Sequence, residues 1–292
     1  MKQPALSVVV AAWNGPAALR ACLASLRSQA GAGPIEVVVA RNFEAAGALA
    51  ELPGVVDLPM PSGSSVPTLR AAGLARSRGS IVAFIEDHCT CDPGWADALR
   101  QAHRDGHAAV GGPVAPDQGA SLRDWAVYFY DYGRFMPPCA AGPVRELSGI
   151  NMSYARAALS AVPAQTAGGV YEAELQGELS RQGYVGHLAP GAVVTHRGHR
   201  SAREDLGQAF RFARTYAARR VTSPGAARRL MLGLGALLLP ALLGGRIVAA
   251  ILRKRRHRIT LLASLPWLGL LLAAWSAGEA AGYFTGRTSG SF

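Results

Sequence analysis

The chain has 292 residues, 50% of them hydrophobic and 17% charged, and carries a formal net charge of +11. Such a length accommodates one large domain or two smaller ones around a sizeable core, and the composition, with neither a G-X-Y period nor sustained heptads, excludes a disordered chain, a collagen and a long coiled coil. Four cysteines are too few for a disulfide scaffold.

In chain order, the N-terminal MKQP runs straight into a short apolar stretch, Leu6 to Ala12, that lacks the length and cleavage site of a signal peptide. The first domain is therefore expected to stay in the cytosol. Ala5 to Ala12 reads as a buried strand, Asn14-Gly15-Pro16 as a turn, and Ala17 to Ser28 as an amphipathic helix. A second apolar strand is predicted over Ile35 to Ala40. Beyond a Pro/Gly/Ser-rich stretch around Pro59 to Ser65, a helix is predicted from Val66 to Ser77, ending at Gly79, followed by a third strand over Ile81 to Ile85. Asp92 fits the cap of the next helix, with Pro93 in its first position. This β-α-β-α-β rhythm predicts an α/β domain with a mostly parallel sheet covered by helices on both faces. Ligands of such sheets bind beyond the carboxyl ends of the strands. That rule singles out Asn14, Arg41 with Asn42, and Glu86 with Asp87 and His88. Further along, Trp125, Tyr128, Phe129 and Tyr132 have helical spacing and read as a core stripe or, alternatively, as the lining of an acceptor site facing a membrane.

The charge is segregated. Through Val194 there are 14 Lys/Arg against 16 Asp/Glu, and from Thr195 onward 16 against 3. The basic third also holds two apolar stretches, Leu230 to Leu252 and Ile259 to Phe284, separated by Arg253, Lys254, Arg255, Arg256, His257 and Arg258. Apolar runs of that length are the signature of spanning helices, and basic clusters beside them fit anionic lipid head groups better than DNA. Membrane lipids are thus expected partners and nucleic acid is not. Burial of both stretches as core helices of a soluble protein is the alternative. The first stretch, with Pro240, Gly244-Gly245 and Arg246, reads as kinked, re-entrant or interfacial; the second, apart from Glu279, reads as a true span. The positive-inside rule draws both Arg228-Arg229 and the run from Arg253 to Arg258 to the cytoplasmic side, which two simple spans do not satisfy. The preferred expectation is a first segment that dips in and returns, and a second that crosses to leave a short tail with Arg287 outside; a plain two-span hairpin is the alternative.

The stretch IVAFIEDHCTCDPGW, Ile81 to Trp95, ends a strand abruptly in Glu86, Asp87 and His88, three potential metal ligands at the rim of the sheet. Carboxylate oxygens suit Mg²⁺ or Mn²⁺, and imidazole shifts the preference toward Mn²⁺. The pair Cys89 and Cys91 does not read as zinc, since no second such pair exists. The cysteines are expected to be free thiols.

The ordered segments SVVVAAWNGPAALRACLASL, LRAAGLARSRGSIVAFIEDH, GGPV, LSGINMSYARAAL and YEAELQGELSRQGYVGHLAPGAVVTH together resemble the family 2 glycosyltransferases of GT-A fold over roughly residues 5 to 200. The resemblance implies a nucleotide-sugar donor, a divalent metal (Mn²⁺ or Mg²⁺) and an inverting single displacement. Glu86, Asp87 and His88 stand where the family has its Asp-X-Asp metal motif, with His88 in the place of an Asp, and His196 resembles a family His near the metal or diphosphate. His199 and Arg200 lie nearby as further phosphate contacts. The donor is then held by Ala12, Trp13, Asn14, Asn42, Arg70, Asp87, Gly149 and Asn151, with Met152 in the same loop; Arg41 and Asn42 replace an Asp that usually contacts the nucleoside. Glu172 falls at the catalytic base, with Glu174 the alternative two residues on. A carboxylate there takes the proton of the attacking hydroxyl.

The domain organisation expected from this is a GT-A catalytic domain over residues 1–205, a basic juxtamembrane helical linker over 206–229, two apolar helical membrane segments over 230–284 and a tail over 285–292. The acceptor is expected to be lipid-linked or a membrane-proximal glycan at the cytoplasmic face of a cell inner membrane, in cell-envelope synthesis. Gln208, Arg211 and Phe212 carry a Q-x-x-R-aromatic pattern that resembles processive synthases of the family, which is one alternative; a degenerate nucleotide- or carbohydrate-binding membrane scaffold is another.

Overall fold

The computed structural model describes residues 4–29, 33–52, 54–162, 169–198, 201–221 and 225–288. The chain divides into two compact units, Met1–Asp117 with Phe135–Arg197, and Gln118–Arg134 with Gly198–Phe292. The boundary expected at residue 205 falls inside a helix of the second unit, and that unit also takes in a helix from the middle of the chain. His199 and Arg200 lie outside the described residues.

The first unit contains β1 (Leu6–Ala12), α1 (Pro16–Arg27), β2 (Ile35–Arg41), β3 (Val56–Pro59), α2 (Val66–Arg76), β4 (Ile81–Glu86), β5 (Cys89–Cys91), α3 (Trp95–Arg104), β6 (Ala109–Gly111) and β7 (Val114–Pro116). After α4 (Leu122–Tyr132), which belongs to the other unit, it resumes with β8 (Gly142–Val144), β9 (Asn151–Ala155), α5 (Arg156–Ser160), α6 (Glu172–Arg181), β10 (Gly186–Leu188) and β11 (Val194–His196). An eight-stranded sheet runs in the order β3-β2-β1-β4-β9-β6-β10-β8, and a small sheet in the order β5-β11-β7. β1, β2, β3 and β4 are mutually parallel, as the apolar runs predict, and β9 lies antiparallel between β4 and β6.

All seven residues of β1 are buried, the mark of a central strand covered on both faces. Its neighbour α1 starts with Pro16, whose missing N–H costs nothing in the first helical turn. Gly15 before it adopts φ 103°, a left-handed backbone that admits glycine freely and turns the chain sharply out of β1. In α2 the Ser65 side chain accepts from the Thr68 N–H, a regular N-cap. Asp92, by contrast, does not cap α3. Gly94 holds that position, and the Asp92 carboxylate instead accepts from Thr195 Oγ1 at 3.2 Å, tying β5 to β11. A core of Val9, Val82, Phe84, Met152 and Tyr154 lies against Leu175 and Leu179 of α6, which fixes the start of α6 relative to the ends of β4 and β9.

The second unit is helical: α4, α7 (Ala202–Arg220), α8 (Ala226–Gly235), a 3₁₀ turn over Ala236–Leu238, α9 (Leu239–Arg253) and α10 (Arg258–Thr285). Two stretches, Ala227–Arg253 and Arg258–Thr285, are long and apolar enough to cross a membrane. In α4 the rings of Trp125, Tyr128 and Phe129 are buried, with Trp125 5.3 Å from Phe129 and 4.6 Å from His257, so this stripe is a core of the helical unit. Cys22, Cys89, Cys91 and Cys139 are free thiols.

Candidate active site

The ends of β1 and β4 lie side by side, with Ala11 opposite Glu86, and each exits into polar residues. Asp87 organises the turn after β1. Its carboxylate accepts from the backbone N–H of Trp13 at 3.0 Å and of Asn14 at 2.8 Å, and from Asn14 Nδ2 at 2.7 Å. Burial pushes the Asp87 carboxyl up to about 7 against the pull of those donors from Asn14 and Trp13, with neighbouring Glu86 adding to the rise.

Glu86 is the hub of a second network. Its Oε1 accepts from Arg70 Nη2 at 2.8 Å and its Oε2 from Trp13 Nε1 at 3.0 Å. Arg70, on α2 and only 2% exposed, also donates Nη1 to Glu172 Oε2 at 2.6 Å and Nη2 to the Gly149 carbonyl at 3.0 Å. Burial alone depresses a guanidinium pKa, yet the charges of Glu172 and Glu86 raise that of Arg70 overall. One buried cation thus joins the end of β4, the loop before β9 and the first residue of α6. Glu172 remains 46% exposed at its side chain while anchored there.

Gly149 leaves little room at that junction. A Cβ on it would stand 3.0 Å from both Arg70 Nη2 and Glu172 Cδ. The loop is pinned from the other side by Gln176, which donates to the Leu147 carbonyl at 3.0 Å and accepts from its N–H at 2.8 Å. Gln176 is not among the residues that the sequence motifs single out. Its signal was the spacing of four from Glu172, which puts both on one face of α6.

The imidazoles of His88 and His196 meet edge to face with centroids 4.9 Å apart, both nearly buried. Here the small sheet does the positioning, since β11 pairs with β5 so that His196 stands opposite Cys89, next to His88. His88 Nδ1 lies 3.2 Å from Asn14 Nδ2 and 3.5 Å from Glu86 Oε2. Among the described residues no group of three or more His, Cys, Asp or Glu converges as a ready-made metal site, because the carboxylates of Glu86 and Asp87 are already turned onto protein donors.

A family model described as "Glycosyl transferase family 2" matches residues 7–162, more than half of the chain, a range that takes in the strands of the first unit up to β9 and leaves out β10 and β11. The chain belongs to that family. It is accordingly a glycosyltransferase. No curated protein matches it in sequence. Among solved structures it is similar to the mannosyltransferase PcManGT from Pyrobaculum calidifontis, solved with GDP-Man and Mn²⁺, at 15% identity and TM-score 0.55 over 96% of this chain and 88% of that one. It also matches S. aureus TarS 1-349, solved with UDP, at 14% identity and TM-score 0.49 over 94% and 90%. The first of these likenesses supports the GT-A-like α/β fold.

Against the expectations for a family 2 enzyme, the structure brings Trp13, Asn14, Glu86, Asp87 and His88 together with His196, and Arg70 together with Gly149 and Glu172. Ala12 is fully buried in β1, with its carbonyl accepting from Asn42 N–H at 3.3 Å. Asn42 donates its side chain to the Ser64 carbonyl at 2.9 Å, and Arg41 forms a two-pronged pair with Asp57 at 2.8 Å for each bond. Glu174 is exposed one turn into α6. Asn151, expected at the donor, has protein partners for its whole amide. It is fully enclosed, donating to the carbonyls of Pro113 and Ala192 and accepting from Trp95 Nε1, which leaves its amide turned into the core as a bracket between β9 and the loops around it. Arg70 likewise spends both its Nη atoms on the two acids and the Gly149 carbonyl, so its observed partners are protein groups.

Proposed function

We propose that this glycosyltransferase moves a sugar from a nucleotide-sugar donor to a lipid-linked or membrane-proximal glycan acceptor at the cytoplasmic face of a cell inner membrane, by a single inverting displacement, for cell-envelope glycan or glycolipid synthesis. The observation that carries this reading is the placement of Glu172: a half-exposed carboxylate locked in orientation by Arg70 and lying over Gly149. A general base has to be within hydrogen-bond reach of the acceptor hydroxyl while that hydroxyl attacks the anomeric carbon. Its oxygen on Arg70 fixes the rotamer, and the other faces the loop at Gly149. Glu174, two residues on in α6, is the alternative base. Asn14, Asn42, Trp13 and Gly149 are the donor-side residues that the strand ends present.

A divalent cation is part of the proposal, supported by the Mn²⁺ bound to the mannosyltransferase of similar fold. The residues that fit it are His88 and His196, with Glu86 behind His88 as the carboxylate that orients a metal-bound imidazole through its other nitrogen. A pair of imidazoles favours Mn²⁺ over Mg²⁺. When bound, the cation offsets charge on the departing diphosphate. The basic flanks and apolar helices of the second unit support membrane association.

The acceptor reading is tested by incubating the full-length protein with radiolabelled nucleotide-sugars and a membrane lipid extract. Label passing into the organic phase, with the anomeric configuration inverted by NMR, is the expected result. Label that stays in water as a free sugar or as a soluble glycoside, or that retains its configuration, contradicts the proposal.

A further inference from the structure

The two apolar stretches satisfy the length of a spanning helix, but the company kept by α10 argues for a different arrangement. α7 packs along it. Small residues let the two backbones approach: a Cβ on Gly278 would fall 2.2 Å from the Phe210 carbonyl oxygen, and one on Gly282 2.4 Å from that of Arg214, with Ala217 beside it. The contact extends from Tyr216 against Trp275, at 6.2 Å between rings, to Arg220 on the Tyr283 hydroxyl at 3.1 Å and Arg214 on the Arg287 carbonyl at 3.2 Å. α4 also packs on α10, through Tyr130 against Trp275 at 6.1 Å, and its Trp125 meets His257 just before α10 at 4.6 Å, while α8 and α9 pack on α10 as well.

These covering helices are not apolar. Along α7 the residues Arg203, Glu204, Arg211, Arg219 and Arg220 are exposed, and Asp131 and Arg134 are exposed at the end of α4. At 1.5 Å per residue the 19 residues of α7 cover about 28 Å, close to the roughly 30 Å of a hydrocarbon core. An α10 standing upright in a bilayer would draw α7, which packs beside Trp275 to Arg287, toward the hydrocarbon with its exposed Arg211, Arg219 and Arg220, at the cost of intramembrane charge. The opposite face of α10 has the complementary character. Its exposed positions from Ile259 to Phe284 are Leu262, Leu265, Leu270 and Phe284 with small residues and Pro266 between, all apolar. Glu279, the one acid of this helix, is turned to the covered side, where Trp275 Nε1 and the Tyr283 hydroxyl donate to it at 2.8 Å each. Leu230, Leu234, Leu237, Leu238 and Leu242 of α8, the 3₁₀ turn and α9 are exposed too. So many exposed large apolar side chains on neighbouring helices mark an interaction surface.

We propose that the helical unit lies in the plane of one leaflet of an anionic bilayer, its apolar face down and α4 and α7 toward water, so that neither apolar stretch crosses. The arrangement rests on the membrane-associated reading above. It removes the conflict that spanning creates, because Arg228-Arg229, the run from Arg253 to Arg258 and Arg287 all remain on one side, where they meet anionic head groups. Arg246, exposed in the apolar face of α9, reaches the head groups along its aliphatic stem.

The test uses single-cysteine reporters in the full chain with Cys139→Ser, the other three cysteines being buried: Arg256→Cys between α9 and α10, Thr288→Cys after α10, and Arg20→Cys on exposed α1. A membrane-impermeant maleimide is applied to sealed inside-out and right-side-out vesicles of the expression host, and the protein is floated separately with phosphatidylethanolamine/phosphatidylglycerol liposomes. The proposal expects all three reporters to label in inside-out vesicles and all three to be protected in right-side-out vesicles. Labelling of Arg256→Cys and Thr288→Cys from opposite sides overturns the in-plane arrangement and leaves membrane association standing. Failure to float with liposomes, with the protein recovered in the soluble fraction, overturns membrane association itself.

Discussion

Arg70 and Glu172 stand 102 residues apart in the chain and 2.6 Å apart in space, and the same guanidinium reaches Glu86 at 2.8 Å. The acid at the start of α6 is therefore held by a cation of α2 that is itself buried. An orientation set in this way costs nothing at the moment of reaction, because it is built during folding.

Replacing Glu172 by Gln retains a hydrogen-bonding partner for Arg70 but removes the proton acceptor. Turnover is expected to fall about 10²- to 10⁴-fold, with nucleotide-sugar binding nearly unchanged, whereas Glu174→Gln leaves turnover close to the parent value. Steady-state kinetics with calorimetric donor binding separate the two effects.

Arg70→Met leaves the Glu86 carboxylate buried beside an apolar side chain. Removing one member of a buried pair costs about 3–5 kcal/mol, so urea unfolding is expected to show a large fall in midpoint. A variant as stable as the parent would contradict the role given to this cation. Glu172, half exposed, contributes little to that cost.

Gly149→Ala pushes a methyl group to 3.0 Å from both Arg70 Nη2 and Glu172 Cδ. The carboxylate is the more exposed partner and yields first. The predicted outcome is a fall in kcat with the unfolding midpoint little changed, since Glu86 and Arg70 still meet; kinetics and thermal melts on one sample check both halves.

Burial on α3 lowers the His103 pKa from 6.5 to about 4, with its Nε2 2.9 Å from Ser153 Oγ. Between those values the unfolded chain binds the proton that the folded chain refuses. Stability is thus full above pH 6.5 and declines as the pH falls toward 4. His103→Gln is expected to flatten that part of the stability profile, as measured by urea unfolding at a series of pH values.

The central strands and the helices between them were legible in the sequence because a parallel strand buried on both faces is an unbroken apolar run, as in Leu6–Ala12 and Ile81–Glu86. β5, β7, β10 and β11, of three residues each, carry no such pattern. The pairing of β11 with β5 that brings His196 to His88 was accordingly out of reach. Asp92 satisfied every local rule for an N-cap and lost to a tertiary bond with Thr195. The resemblance places Asn151 near the donor, and only the tertiary structure shows that its amide satisfies three buried groups from three other segments. Chemistry at the site was readable where it followed a strand, at Asn14 and at Glu86 to His88. The meeting of Arg70, Gly149 and Glu172 depends on register and helix placement, which local pattern does not encode.

In the proposed function, Glu172 and the imidazoles of His88 and His196 serve one metal-assisted sugar transfer. The most direct measurement follows nucleoside diphosphate release by the full-length protein in detergent, across a panel of nucleotide-sugars with a membrane lipid extract, in Mn²⁺, in Mg²⁺ and in chelator, for the parent, Glu172→Gln and His88→Ala. The prediction is release from a donor in Mn²⁺ that exceeds release in Mg²⁺, is abolished by chelator and is lost in both variants. Release that persists in chelator, or that survives Glu172→Gln, would contradict it.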